Sequence, residues 1–150
     1  MATGKIHHIA TVGLAAATAI VAAGSGASLT QAAFLGSGCL VGVLITPDLD
    51  MHHDVHSHQV VRKTLGMPLA FLWRGLWWLY ARLIPYHRHP LSHWPVLGTV
   101  GRLAYLASIA LLVTFFLNIP LPEVQKITWL PWVAGGLPMA DILHWVMDIA

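Results

Sequence analysis

Ten histidines in a chain with only eight Lys and Arg and six acids are where chemistry is to be sought, because imidazole is the commonest metal ligand among side chains. These groups cluster. His7 and His8 lie near the start, Asp48 and Asp50 sit in Pro47-Asp48-Leu49-Asp50, and His87 and His93 belong to Tyr86-His87-Arg88-His89-Pro90-Leu91-Ser92-His93. Asp141, His144 and Asp148 follow near the end, spaced i, i+3 and i+7, so they share one helical face. Three ionisable groups on one face of an otherwise apolar helix need compensation, either by a cation or by arginines such as Arg88 and Arg102. Carboxylates mixed with imidazoles and no thiolate suit zinc, with manganese or iron as alternatives. The two aspartates after Pro47 read as loop acids or as ligands, and both can face one ion only where the backbone is extended or turned. The run His52, His53, His56 and His58 reads as an exposed His-rich loop, with a peripheral metal-collecting loop as the alternative. Cys39 lies alone in an apolar run and reads as a small buried hydrophobe.

The elements that must position these groups are apolar. Hydrophobic residues make up 57% of the 150 residues and charged residues 9%, whereas charged residues are about a quarter of a soluble domain. The reading is a single all-α integral membrane domain over residues 1–150, with four transmembrane helices plus one interfacial amphipathic helix. The spans cover about 6–24, 29–46, 94–117 and 129–149, each near the roughly 17–25 residues that cross a hydrocarbon core. Lys5 before an apolar run also resembles a secretory signal, but a second apolar span follows at once. Gly13, Ala15, Ala16 and Ala17 in the first span and Gly36, Gly38 and Gly42 in the second permit close helix approach. Residues 47–93 form a cytoplasmic loop and the interfacial helix, which is expected over 67–84. There Leu69, Leu72, Trp73, Leu76, Trp77 and Tyr80 recur at helical spacing, with Arg74 and Arg82 off the stripe. Asn118, Pro120, Pro122, Glu123 and Lys126 make the last connection, and Pro138 is a place for the final helix to bend.

Four crossings put both termini and residues 47–93 on one side, so every polar cluster lands there. Lys5, Arg62, Lys63, Arg74, Arg82 and Arg88 lie on that side and only Lys126 on the other, which predicts that the shared side is cytoplasmic. The net charge of +2 offers no basic stripe, so nucleic acid is not an expected partner. Membrane lipid is, and a larger membrane protein complex is the alternative.

An early His, PDLD after a second apolar span, a Trp/Arg-rich helix and HRHPLSH leading into VLGTVGRLAYL together resemble a family of small uncharacterised metal-binding membrane proteins of cyanobacteria and archaea. The resemblance covers about residues 4–112. More distantly, these motifs with the terminal H-x3-D are similar to the membrane-bound metal-dependent hydrolases. The resemblance implies His7 or His8, Asp48, Asp50, His87, His93, His144 and Asp148 as metal positions. The first functional expectation is a metal-dependent hydrolase acting on lipid or phosphoester substrates at the cytoplasmic membrane surface. Asp48 or Asp50, whichever is not a ligand, would orient or deprotonate a water, with Asp50 the first choice, and Arg88 would stabilise the developing anion. The other is a non-catalytic, metal-stapled subunit or assembly factor of a membrane protein complex, presenting Trp-rich surfaces. Histidine ligation of haem or chlorophyll is a weaker third reading.

Overall fold

Gly24, Ser25 and Gly26 end the first apolar run, as their composition predicts. Gly26 takes a positive φ of 97°, and Ser28 then caps the next helix. Its hydroxyl accepts from the Gln31 backbone N–H while the Gln31 side chain accepts from the Ser28 N–H, a reciprocal capping box. The computed structural model describes residues 4–121, 123 and 126–149, and no strand occurs among them. Pro122 of the expected connection lies outside the described residues. Helices α1 (Gly4–Gly24), α2 (Leu29–Val41), α3 (His56–Leu83), the single turn α4 (Pro90–His93), α5 (Pro95–Phe116) and α6 (Leu130–Ile149) follow in order, with a 3-10 turn at Pro47–Asp50 between α2 and α3.

Helix α2 stops short of the expected stretch to residue 46. Turns nevertheless continue, since the N–H groups of Gly42 to Ile45 bond back to carbonyls between Gly38 and Val41. α2 packs between α1 and α6, and α5 lies on the other side of α6. Small residues set these approaches, though not all where the sequence suggested. Gly36 lies against the Ala15 backbone of α1, but Gly38 faces the Val133 carbonyl and Gly42 faces Ala140, both on α6. Gly13 meets nothing within 4 Å.

The inward faces are mostly small or polar, Leu137 on α6 and Tyr105 on α5 being the large exceptions. They carry His7, Thr11, Ala15 and Thr18 on α1, Gly98, Thr99, Arg102 and Tyr105 on α5, and Gly136, Ala140, Asp141 and His144 on α6. Outward lie Ile9, Ile20, Val21, Phe115, Phe116, Ile142 and Trp145. This is the reverse of a water-soluble helix, which turns its apolar stripe inward. By length and composition α1 and α5 can cross a membrane, and α2 is apolar but only 13 residues long.

Helix α3 holds both a confirmation and a correction. Gly66, at φ 82° and ψ 175°, breaks it into two limbs, in a backbone region essentially reserved for glycine. The second limb matches the amphipathic helix expected from residue 67, and its Trp77 and Tyr80 turn toward the bundle, where they meet Leu49, Val55 and Tyr105. The first limb occupies sequence read as a His-rich loop. His52 and His53 are exposed there, but His56 is helical and half-buried and His58 is buried, because Ser57, His58 and Val61 form an inward face.

Candidate metal centre

Local structure delivers each polar cluster to one end of the bundle. Pro47 occupies the first position of the 3-10 turn and the Thr46 hydroxyl accepts from the Asp48 N–H at 3.4 Å. At three residues per turn, residues two apart point in different directions, and Leu49 between them is wholly buried. Asp48 and Asp50 therefore face different partners. In the second cluster, His89 caps α4 by accepting from the Leu91 N–H at 3.2 Å, with Pro90 at the first helical position. Arg88 just before it takes a left-handed φ of 67°, and its backbone N–H donates to Asp50 at 3.3 Å.

Four chain segments meet. His7 Nε2 lies 3.3 Å from Asp148 Oδ1, and the His7 and His144 rings stack at 4.0 Å. His144 Nε2 is 3.5 Å from Asp48 Oδ1 and 3.6 Å from Asp148 Oδ2, while His93 Nε2 is 3.8 Å from Asp48 Oδ1. Most of these gaps are too long for hydrogen bonds. They are close to the separation of ligands that share one ion, since two atoms each about 2.0–2.1 Å from a tetrahedral zinc stand about 3.4 Å apart. His93 Nε2 and His144 Nε2 are moreover buried without a hydrogen-bond partner. Ligating atoms fall into two groups, one of His7, His144 and Asp148 and one of Asp48, His87 and His93, and Asp48 links them, 3.5 Å from His144.

Behind His93 lies a second layer. Asp50 has a fully buried side chain and accepts from Ser92 Oγ at 2.7 Å and from His87 Nδ1 at 2.8 Å. Ser92 Oγ is also 3.0 Å from His93 Nδ1. A hydroxyl has one hydrogen; spent on the Asp50 carboxylate, it leaves the Ser92 oxygen to accept from His93 Nδ1–H. In the neutral ring the lone pair is then on Nε2, facing the Asp48 carboxylate. Two acceptors so placed call for a cation or a proton between them. This is the carboxylate-histidine arrangement that orients metal ligands.

Electrostatics agree. Burial alone would raise both aspartates, but the histidines outweigh it. The nearby imidazoles of His144 and His93 hold Asp48 well below the usual carboxylate range, and His93 with the hydrogen bonds from Ser92 and His87 holds Asp50 low as well. Burial alone would lower His93, yet the carboxylates of Asp48 and Asp50 beside it raise it from 6.5 to about 9.

Of the candidate residues, His7, Asp48, His93, His144 and Asp148 converge, and His87 joins Asp48 and His93 from the rim. His87 is exposed and bonded to Asp50 at the edge of the cluster. Asp50 sits behind His93 rather than beside the others, the turn geometry having rotated it away. His8 points elsewhere, its Nδ1 lying 3.1 Å from His56 Nε2. Arg88 reaches Asp148 at 3.6 Å. Asp141 does not join: it is buried against Arg102 and Thr99, so an arginine compensates it rather than a metal ion. Arg102 also donates to the Ser92 carbonyl at 2.7 Å, tying α5 to the cluster. Sequence reasoning missed His56, whose place depends on the first limb of α3. A narrow cavity of about 20 Å³ separates the His8–His56 pair from His7, Asp48 and His144, and Thr46 and Ser57 also line it.

Residues 2–144 match the family model described as "Uncharacterized metal-binding protein (DUF2227)". No curated protein matches the chain, and no solved structure does.

Proposed function

Because the chain belongs to this family of uncharacterized metal-binding proteins, we propose that it is an integral membrane protein holding a divalent ion, zinc first, among His7, Asp48, His93, His144 and Asp148, and that it hydrolyses a phosphoester or lipid ester at the membrane surface. One observation carries the metal assignment: two buried histidine nitrogens face a carboxylate at separations that suit shared ligation better than hydrogen bonding. The membrane reading draws on the inverted faces, with Asp141, Arg102 and His144 inside and large apolar groups outside. It comprises four crossings with α3 at the interface and the cluster on the cytoplasmic side.

A bound divalent ion would polarise an ester or phosphoryl oxygen and lower the pKa of a water molecule. The protein residues supply the rest. Asp48, with whichever carboxylate oxygen the ion leaves free, is placed to hold or deprotonate a water, since it lines the cavity, which has room for about one water. Asp50, with its carboxylate committed to His87, Ser92 and His93, is a positioning residue rather than the base. Arg88, exposed and 3.6 Å from Asp148, can turn its guanidinium to an anionic group arriving at the cluster.

The competing reading is a non-catalytic staple, favoured by the supply of five candidate ligands from four segments, enough to close a coordination shell. Elemental analysis paired with a chelation assay on soluble phosphomonoester and short-chain phospholipid substrates separates the two. Hydrolysis lost with chelator, restored by zinc, and reduced in Arg88→Ala at unchanged metal content is the expected result. Stoichiometric metal without turnover would leave the staple.

A further inference from the structure

The Gly66 break bends α3, and a groove of about 450 Å³ lies along the bend. Its lining is apolar at Met67, Phe71 and Trp78 and polar at Arg62, Arg74 and His58. It shares no lining residue with the cavity at the candidate metal centre. We propose that this groove binds an anionic phospholipid, with the phosphate between Arg62 and Arg74 and the adjoining acyl chain along Phe71 and Trp78. The proposal rests on the membrane reading above and is independent of the metal assignment.

Three observations select that occupant. His58 is only 6% exposed, and its Nδ1 is buried without a partner in the groove wall. A buried polar atom of this kind is costly unless something bonds to it, and a phosphate oxygen can. Charge is the second: two guanidinium groups face the groove against the single carboxylate of Asp54. That carboxylate pairs with Arg74 at 3.6 Å, with both side chains substantially exposed, and such a pair is weak enough for Arg74 to turn to a phosphodiester. Third, the apolar part of the groove wall is exposed, with Phe71 at 79% and Met67 at 67%. A free inorganic anion would leave that wall in water, whereas a lipid covers it. The amphipathic second limb of α3, with Arg82 lying over the Trp78 ring at 4.8 Å, suits the level of the headgroups.

The test uses the full chain, fractionated first into membrane and soluble pools and then purified in a neutral maltoside. Dioctanoyl phosphatidylglycerol, dioctanoyl phosphatidylcholine and inorganic phosphate are titrated separately, with binding read by native mass spectrometry and metal content measured on the same samples. Phosphatidylglycerol should bind in preference to phosphatidylcholine, and the Arg62→Gln/Arg74→Gln double variant should weaken it about thirtyfold, each arginine near a membrane surface being worth about a factor of five. Phe71→Ala should weaken the lipid and leave any phosphate binding untouched. Metal content should not change in either variant. Equal binding of the two lipids, retention by the double variant, or displacement of phosphatidylglycerol by inorganic phosphate at comparable concentration overturns the lipid site. Recovery of the chain in the soluble pool would instead sink the membrane reading on which it rests.

Discussion

His93 uses its two nitrogens differently, and that division makes the centre testable residue by residue. Nδ1 is held by Ser92 and Asp50, and Nε2 is turned to Asp48. His93→Ala and Asp48→Ala should each lose most of the bound metal, because they remove adjoining ligands. Asp50→Asn should keep the ion but weaken it about 10–100-fold, the usual cost of losing an orienting partner. His56→Ala and His8→Ala should leave stoichiometry intact, as that pair lies across the cavity. Titration adds a signed prediction. In the metal-free protein, His93 raised from 6.5 to about 9 stabilises the fold fully below about pH 6.5, and that contribution fades as pH rises through about 9. Asp48 and Asp50, held low, stabilise it above about pH 3.8 and lose that effect only on acidification. A metal ion must displace the His93 proton, so its apparent affinity grows over the same alkaline interval. Melting temperatures of zinc-loaded and chelated protein should therefore diverge between pH 6.5 and 9, and a constant gap would remove His93 from the ligands. That these groups meet was legible, since ligand types stood at the ends of apolar runs. Which of them stands behind another was not: Asp50 and Asp48 are chemically alike, and only the 3-10 turn separates their directions.

Helix contacts depend on what two backbones permit. A Cβ on Gly38 would run into the Val133 carbonyl, and one on Gly136 into the Leu35 carbonyl, with no flexible side chain to give way. Gly38→Ala and Gly136→Ala should therefore each cost about 1–3 kcal/mol by overpacking, read as a lower melting temperature in detergent. Gly13→Ala, with open space around it, should leave the temperature unchanged or raise it. Gly66→Ala would place a side chain where φ is 82°, at about 1–3 kcal/mol of backbone strain, and should relax the bend in α3. Helical periodicity exposed the second limb of α3 to sequence reading because its aromatic stripe recurs regularly. The first limb escaped because four histidines and an aspartate masked the buried face of Ser57, His58 and Val61. For Asp141 the sequence leaves either a metal ion or an arginine open as its partner, Arg102 being one of those named. Spacing put it on one face with His144 and Asp148, but the rotation of α5 against α6 decides that it meets Arg102. Arg102→Ala would strand that buried carboxylate, at about 3–5 kcal/mol, while leaving the candidate ligands in place.

The direction in which each helix runs is set by the cluster itself, and this supplies the broadest test. His7 lies at the beginning of α1, Asp48 shortly after the end of α2, His93 just before the beginning of α5 and Asp148 at the end of α6. Those four sites meet within a few ångströms, so α1 and α5 lead away from the cluster while α2 and α6 return to it. If lipid surrounds this bundle, the hairpin at Ser25 and the connection near Glu123 emerge opposite the cluster, and His53 emerges beside it. Cys39 is wholly buried, so the native thiol gives little background to membrane-impermeant maleimide. Single cysteines at positions 25 and 123 should label from outside intact cells, and a cysteine at 53 only after the cytoplasmic face is opened. The charge asymmetry sets that orientation, with Lys5, Arg62, Lys63, Arg74, Arg82 and Arg88 near the cluster against Lys126 far from it. Labelling of 25 and 53 from the same side would break the antiparallel pairing of α1 and α2 across the bilayer. Labelling of all three positions in reverse would keep the bundle but move the centre, and with it any substrate, to the outer surface.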